Sequence, residues 1–379
     1  MNLYTIFALI VILGLLPFII LKGMECLPSS KLVKKKVLVI IDPQTDFSDK
    51  AEGLRDKDGS LAVPDSSKDY RRIIDLMKKE NFDEIHVSLD THTECHIGNP
   101  AFWEVKLTEN SEWEPATDAN SGLTILSISA ENVISGLNIV TGKSIFGFRP
   151  RCYDDPSYPD LCEYVNEYLR FYSRDKDGKC NPENKKEQFA WIWFNHCLEN
   201  TEGHKVAVEL QAALDSFAAQ PGKKVFYHIK GQNNLAEMYS IFSAECPMPS
   251  ELMETLRPYI YTGAVKEGVY DNNGYPSYQA AINSPANLNT QMNYSLMDRL
   301  LGITEETPSG TNTIYICGQA RTHCVKSSAI DLMNYAKSKG VSSERIVFLK
   351  NCSSPIPDVP DDLDEIVVKY GFTVHNVLF

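Results

Sequence analysis

Lys36-Val-Leu-Val-Ile-Ile-Asp42 sets an apolar, largely β-branched run between a lysine and an acid. A run this short with no polar alternation reads as a strand buried on both faces, the kind found inside parallel sheets. Glu84-Ile-His-Val-Ser-Leu-Asp90 repeats the ending in Asp, and Lys224 to Ile229, Thr313 to Cys317, Arg345 to Leu349 and Phe372 to Val377 supply further strand candidates. Helical spacing over Tyr70 to Lys79, Val206 to Ala219, Val325 to Ala336 and Asp361 to Tyr370 separates them. Alternating β and α segments predict an α/β fold: a mostly parallel, Rossmann-like sheet with helices on both faces, three layers in all. Ligands of such sheets collect beyond the carboxyl ends of the strands.

Between Phe102 and Trp191 this rhythm is lost in a stretch rich in Asn, Asp, Ser, Pro and Tyr, with one helical piece near Cys162 to Tyr172. Structureless loops of such length are uncommon in compact domains, so residues 104–190 are expected to form an inserted subdomain or lid within a domain spanning 36–379. Residues 265–293 form a second irregular excursion. Leu3 to Leu21 carries no charged side chain and as a helix would span about 28 Å, close to a bilayer core. Residues 1–35 are therefore expected to be a membrane anchor, or alternatively a cleaved signal, with a basic linker. Lys31 and Lys34 to Lys36 would keep the body on the cytoplasmic side by the positive-inside tendency; the secretory pathway is the alternative. The whole chain has a formal charge of −13. With lysines clustered only near the amino terminus and no basic stripe beyond, nucleic acid is excluded as a partner and a small molecule is favoured. The ten cysteines are too sparse for a disulfide scaffold. Cys152, Cys162 and Cys180 lie in one loop-like region and suit either a reduced or an oxidised state. Asn293-Tyr-Ser and Asn351-Cys-Ser are glycosylation sequons that matter only in a lumenal body.

Cys324 follows the strand ending near Gly318 and opens the helical spacing Val325, Ala329, Leu332. A sulfur at a helix N-terminus is expected to gain thiolate character. Asp42 ends the first strand, where a carboxylate projects into the crevice. Asp90 and His92, two apart, can reach one divalent ion, and carboxylate with neutral imidazole suits zinc, iron or manganese. His196 is the candidate third ligand, with His96 and His204 as supporting or surface groups. Lys230, just past a strand, would stabilise both a carboxylate and a thiolate if it faces the crevice.

Taken in order, Ile41-Asp-Pro-Gln-Thr-Asp-Phe47, Gly59-Ser-Leu-Ala-Val-Pro64, Asp90-x-His92, Trp193-x-x-His-Cys197, Lys230-Gly231 with Tyr239-Ser-x-Phe242, and Gly318-x-Ala-x-x-x-Cys-Val-Lys326 resemble the nicotinamidases of the isochorismatase-like cysteine hydrolases. The resemblance implies a catalytic triad of Asp42, Lys230 and Cys324 and one divalent metal ion, zinc with iron or manganese as alternatives, held by Asp90, His92 and His196. It implies ring-flanking roles for Phe47 and Trp193, and a cis peptide at Gln319–Ala320 beside an oxyanion hole. Two departures stand out: Thr93 replaces the family's Pro after the metal His, and the insertion stretches the gap before His196. The implied reaction is hydrolysis of nicotinamide to nicotinate and ammonia through a cysteine thioester, in pyridine-nucleotide salvage, and a homo-oligomer is compatible with it. Another small amide or carbamoyl substrate, or a non-catalytic membrane-tethered interaction protein, are the alternatives.

Overall fold

Val37 to Ile41 are all buried because their side chains alternate between two helical layers. Val37, Val39 and Ile41 pack into one apolar cluster, Leu38 and Ile40 into the other. Each such side chain contributes about 1.5–3 kcal/mol on burial. The computed structural model describes residues 34–116, 124–128, 134–138, 143–151, 159–172, 179–184, 186, 189–260, 273–357 and 359–377. From Lys35 onward the chain forms one unit.

In chain order the first elements are β1 (Lys36–Ile41), α1 (Ser66–Lys79), β2 (Glu84–Asp90), β3 (Trp103–Lys106), β4 (Glu114–Pro115), β5 (Thr124–Ile128), β6 (Ile134–Asn138), β7 (Lys143–Ile145) and β8 (Gly147–Pro150). They are followed by α2 (Pro159–Phe171), β9 (Ala190–Ile192), α3 (Val208–Ala218), β10 (Lys224–Lys230), α4 (Met253–Leu256), α5 (Tyr278–Ile282) and α6 (Tyr294–Leu301). The chain continues through β11 (Thr313–Gly318), α7 (Lys326–Ser338), β12 (Ile346–Leu349), α8 (Leu363–Lys369) and β13 (Thr373–His375). The central sheet runs β10-β2-β1-β11-β12-β13 with every neighbouring pair parallel. Helices α6, α7 and α8 cover the face of Val39, while α1 and α3 cover that of Leu38. This is the three-layer α/β/α arrangement expected from the alternating segments.

The stretch after Phe102 is more regular than its composition suggests. It holds a three-stranded antiparallel sheet, β4-β3-β8, and a four-stranded one, β7-β6-β5-β9. Its apolar cluster is shared: Trp103, Val105, Phe148, Tyr164 and Leu169 pack with Leu235, Met248 and Leu256 from beyond β10. Cys162 lies on α2, and Cys152 falls outside the described residues, as do 261–272 of the second irregular excursion. Among the described residues no helix is long and apolar enough to cross a membrane, and the anchor or signal expected over Leu3 to Leu21 lies outside them. Both sequon asparagines have committed side chains: Asn293 caps α6 by accepting from Leu296 N–H, and Asn351 exchanges two hydrogen bonds with the backbone of Val377.

Gly318, opposite Ile41 in the β1–β11 ladder, has φ +116°. A Cβ there would lie 2.1 Å from the Ile41 carbonyl oxygen and 2.5 Å from its nitrogen, so the two strand ends meet only with glycine at this point. Gly318→Ala combines a disfavoured φ with a backbone clash and is expected to destabilise by about 2–4 kcal/mol. Chemical denaturation at fixed pH checks this; an unchanged midpoint would show that the two strand ends separate without cost.

Candidate active site

The order β10-β2-β1-β11 sets four carboxyl-terminal strand ends side by side, and each delivers one group. Asp90 is the last residue of β2 and pairs in register with Lys230, the last of β10. Lys230 thus belongs to the strand itself, one residue beyond the apolar run that ends at Ile229. Its side chain lies opposite those of Val225, Tyr227 and Ile229, which enter the core under α3. Asp42 leaves β1 with φ 42°, a left-handed geometry that Asp tolerates. Gln44 fastens the neighbouring ends: its Oε1 accepts from Asp90 N–H at 2.7 Å and its Nε2 donates to the Asp90 carbonyl at 2.8 Å.

Asp42, Lys230 and Cys324 converge. Lys230 Nζ stands 2.9 Å from Asp42 Oδ2, 3.0 Å from Asp90 Oδ1, 2.8 Å from the Met238 carbonyl oxygen and 3.8 Å from Cys324 Sγ. Asp42 Oδ1 accepts from Ser88 Oγ at 2.6 Å. All three triad candidates are buried. Burial pulls the Lys230 ammonium down, but Asp42, Asp90 and Cys324 outweigh it and hold the pKa well above the usual lysine value. Burial pushes the Asp42 carboxyl up, with Lys230 opposing and Asp90 adding to the rise.

The expectation of a thiolate favoured by a helix end is corrected here. Cys324 sits inside a π-helical turn, Arg321–Val325, ahead of α7. Burial pushes its thiol well above the ordinary cysteine range; Lys230 lowers it, while Asp42 and Asp90 raise it further. Among these side chains the group opposing burial is the Lys230 ammonium. Burial thus favours the neutral thiol, and Asp42 is the neighbouring acid placed to take its proton.

Asp90, His92 and His196 also meet. Their ligand atoms lie within 4.8 Å of one another, with Asp90 Oδ1 3.4 Å from His92 Nε2 and Asp90 Oδ2 3.4 Å from His196 Nε2. The loop carrying His196 is stitched to the end of β2: His92 N–H donates to the Cys197 carbonyl, and Glu199 N–H donates to that of His92. His196 Nδ1 lies 2.7 Å from the Phe194 carbonyl, which can only accept, so Nδ1–H donates that hydrogen bond and the Nε2 lone pair is left for a metal. Both nitrogens of His92 are buried without a hydrogen-bond partner. Asp90 is held well below the carboxylate range because His92, Lys230 and His196 outweigh burial. Asp90 brings a buried carboxylate and His92 and His196 bring imidazole nitrogens, a set whose ligand atoms are close enough to converge on one ion. The donor set therefore fits a divalent metal ion. His204 serves a different end, its ring nitrogens taken by Thr91 Oγ1 and Tyr278 Oη.

Phe47 and Trp193 lie in the same apolar cluster as Cys324. The Phe47 ring is 5.3 Å from that of His196. Trp193 donates its Nε1–H to Tyr239 Oη at 3.0 Å and stacks on Trp191 at 4.8 Å between centroids. The peptide Gln319–Ala320 is cis. Several contributors were not singled out from sequence: Ser88, Gln44, Trp191, His323 and Glu237. Ser88 had a signal, since Glu84, His86, Ser88 and Asp90 alternate with Ile85, Val87 and Leu89, placing a polar row on one face of a buried strand. His323, beside Cys324, packs against Trp191, Trp193 and Tyr239, and burial takes its pKa down to about 3.

No family model and no curated protein matches the chain. Among solved structures it is similar to the yeast nicotinamidase, at 18% identity and TM-score 0.44 over 90% of this chain and 100% of that one. It is also similar to an Acinetobacter baumanii nicotinamidase/pyrazinamidase, at 15% identity and TM-score 0.43 over 91% and 98%. A third similar structure is N-carbamoylsarcosine amidase from Thermoplasma acidophilum, at 13% identity and TM-score 0.35 over 90% and 96%.

Proposed function

We propose that the chain is a cysteine amidohydrolase whose substrate is nicotinamide. The observation that carries this reading is the convergence of Asp42, Lys230 and Cys324 at adjoining strand ends, with the ammonium 2.9 Å from the acid and 3.8 Å from the sulfur. That is a nucleophile with an adjacent base, the base oriented by a third group. Asp42 takes the thiol proton as Sγ bonds to the carboxamide carbon, and the C=O electron pair moves onto oxygen. The backbone N–H groups of Ala320 and Cys324 are assigned to that oxyanion, worth about 3–4 kcal/mol per donor in comparable sites. Collapse breaks the C–N bond, and the proton held by Asp42 leaves with the nitrogen as ammonia. Water then adds to the thioester and gives Asp42 a proton. As the C–S bond breaks, that proton returns to sulfur and the carboxylic acid product ionises. Phe47 and Trp193 would sandwich the ring and fix the amide near Sγ. Asp90, His92 and His196 would hold the metal, which supplies a Lewis-acidic anchor for a ring nitrogen or water.

The test is ammonia release from nicotinamide by the purified, metal-loaded protein, with and without chelator. Turnover that falls when the metal is stripped and returns when it is restored is expected. No ammonia from a folded, metal-loaded sample would remove the nicotinamide assignment, and release from other small amides in the same assay would redirect it.

A further inference from the structure

Ser88 is hydrogen-bonded twice to a single residue. It lies on the polar face of β2, one alternation before Asp90, and is completely buried. Its Oγ accepts from Asp42 N–H at 3.0 Å and donates to Asp42 Oδ1 at 2.6 Å. A hydroxyl carries one proton, and here that proton goes to Oδ1. One atom thus holds both the backbone and the carboxylate of Asp42, at the point where φ turns to 42° and the chain leaves β1. The side-chain torsion of the acid is thereby tied to the turn that carries it.

The other carboxylate oxygen is left for chemistry. Lys230 Nζ donates to Asp90 Oδ1, to the Met238 carbonyl and to Cys324 Sγ. Asp42 Oδ2 lies 2.9 Å from the same ammonium, is buried, and receives no hydrogen bond of good geometry. Charge draws Oδ2 toward Lys230 while its lone pairs remain open to the thiol proton. Once that proton has arrived on Oδ2, Oδ1 becomes the carbonyl oxygen of a neutral acid and can still accept from Ser88. The Ser88 bond therefore persists through both protonation states of the acid.

We propose that Ser88 is a positioning residue for Asp42, holding Oδ1 so that Oδ2 is the oxygen that takes the Cys324 proton and passes it on. The proposal rests on the triad of the proposed function and assigns the proton to one atom of it. Without the hydroxyl, Asp42 N–H and Oδ1 lose their shared partner in a site closed to water, and the carboxylate is free to turn away from the sulfur.

The experiment has two arms on the full chain. One is ammonia release from nicotinamide by the metal-loaded protein. The other is the rate at which iodoacetamide alkylates Cys324, read by peptide mass spectrometry, which requires no turnover. Ser88→Ala should lower kcat about 10–100-fold and leave KM within about twofold, because a misaimed base slows the chemistry and not the binding. Alkylation of Cys324 should slow by a similar factor, and Ser88→Thr, which keeps the hydroxyl, should restore most of both rates. Ser88→Cys, close in size and only a weak donor, takes the place of the alanine variant if that one does not fold. A purely structural role would lower the denaturation midpoint while kcat and alkylation stayed at wild-type values, and that result would overturn the proposal. A change confined to KM would overturn it too. If the wild type released no ammonia and Ser88→Ala still slowed alkylation, nicotinamide would be lost as the substrate and Ser88 would keep its place beside the base.

Discussion

Cys324→Ala should leave a folded, metal-loaded protein whose ammonia release from nicotinamide falls about 10⁵-fold or more, to the level of background. Removing the nucleophile of a covalent mechanism costs about as much as dismantling the whole catalytic set, because the remaining groups have nothing to activate. The structural cost is small: one sulfur is lost from a buried wall that includes Ala320, Val325 and Trp193, and stability should change by about 1 kcal/mol or less. Circular dichroism and metal content confirm that the variant is intact, and ammonia release reads the loss. In the wild type, intact-protein mass spectrometry of rapidly quenched turnover should show the acyl adduct on Cys324. Activity surviving in the alanine variant would mean that water attacks the amide directly, and the thioester route would be abandoned.

The variant also bears on where the nucleophile gets its reactivity. Sequence spacing pointed to a helix end acting on the sulfur, whereas the thiol lies in a tight π-helical turn and is raised by burial. Spacing predicted that a helix begins near residue 325, which it does, but it carried no information about desolvation. Desolvation depends on residues brought in from other segments, and Trp193, Tyr239 and Phe47 belong to the same buried cluster as the sulfur. The same reasoning explains what else was legible. Strand ends were readable because β1 is an apolar run and β2 an alternating one, each closed by an acid, and the central sheet follows from their alternation with helices. The strands of the inserted stretch were not, since they are two to five residues long, antiparallel and stabilised by one another. Glu237 was hidden for a related reason. Nothing in Leu235-Ala-Glu-Met-Tyr239 distinguishes it from a surface glutamate until Gly98 and His96 arrive beside it.

Lys230→Met should destabilise the protein by about 3–5 kcal/mol, the usual cost of removing one partner from a buried ionic cluster. Methionine is of similar length and fills most of the volume, so the loss is electrostatic. It leaves Asp42 and Asp90 without the cation 2.9 and 3.0 Å away, and the Met238 carbonyl without its donor. The melting temperature should fall by roughly 10 °C. The pH dependence separates this cause from a packing defect. In the wild type Asp90 is held well below its ordinary range, so its contribution is present at neutral pH and is lost only as pH falls through that low value. In the variant the Asp42 carboxyl loses the ammonium that opposes its burial, so its folded-state pKa, already raised, moves further above the unfolded value of about 3.9, while Asp90 keeps His92 and His196. A carboxyl raised in this way favours the folded state below its unfolded pKa, and that advantage is lost as pH rises through the folded one. The stability gap between wild type and variant should therefore be small near pH 5 and widen toward pH 8. Denaturant midpoints measured across that range decide it. A gap of constant size would assign the loss to packing and deny Lys230 its role as the charge that holds the two strand-end acids together.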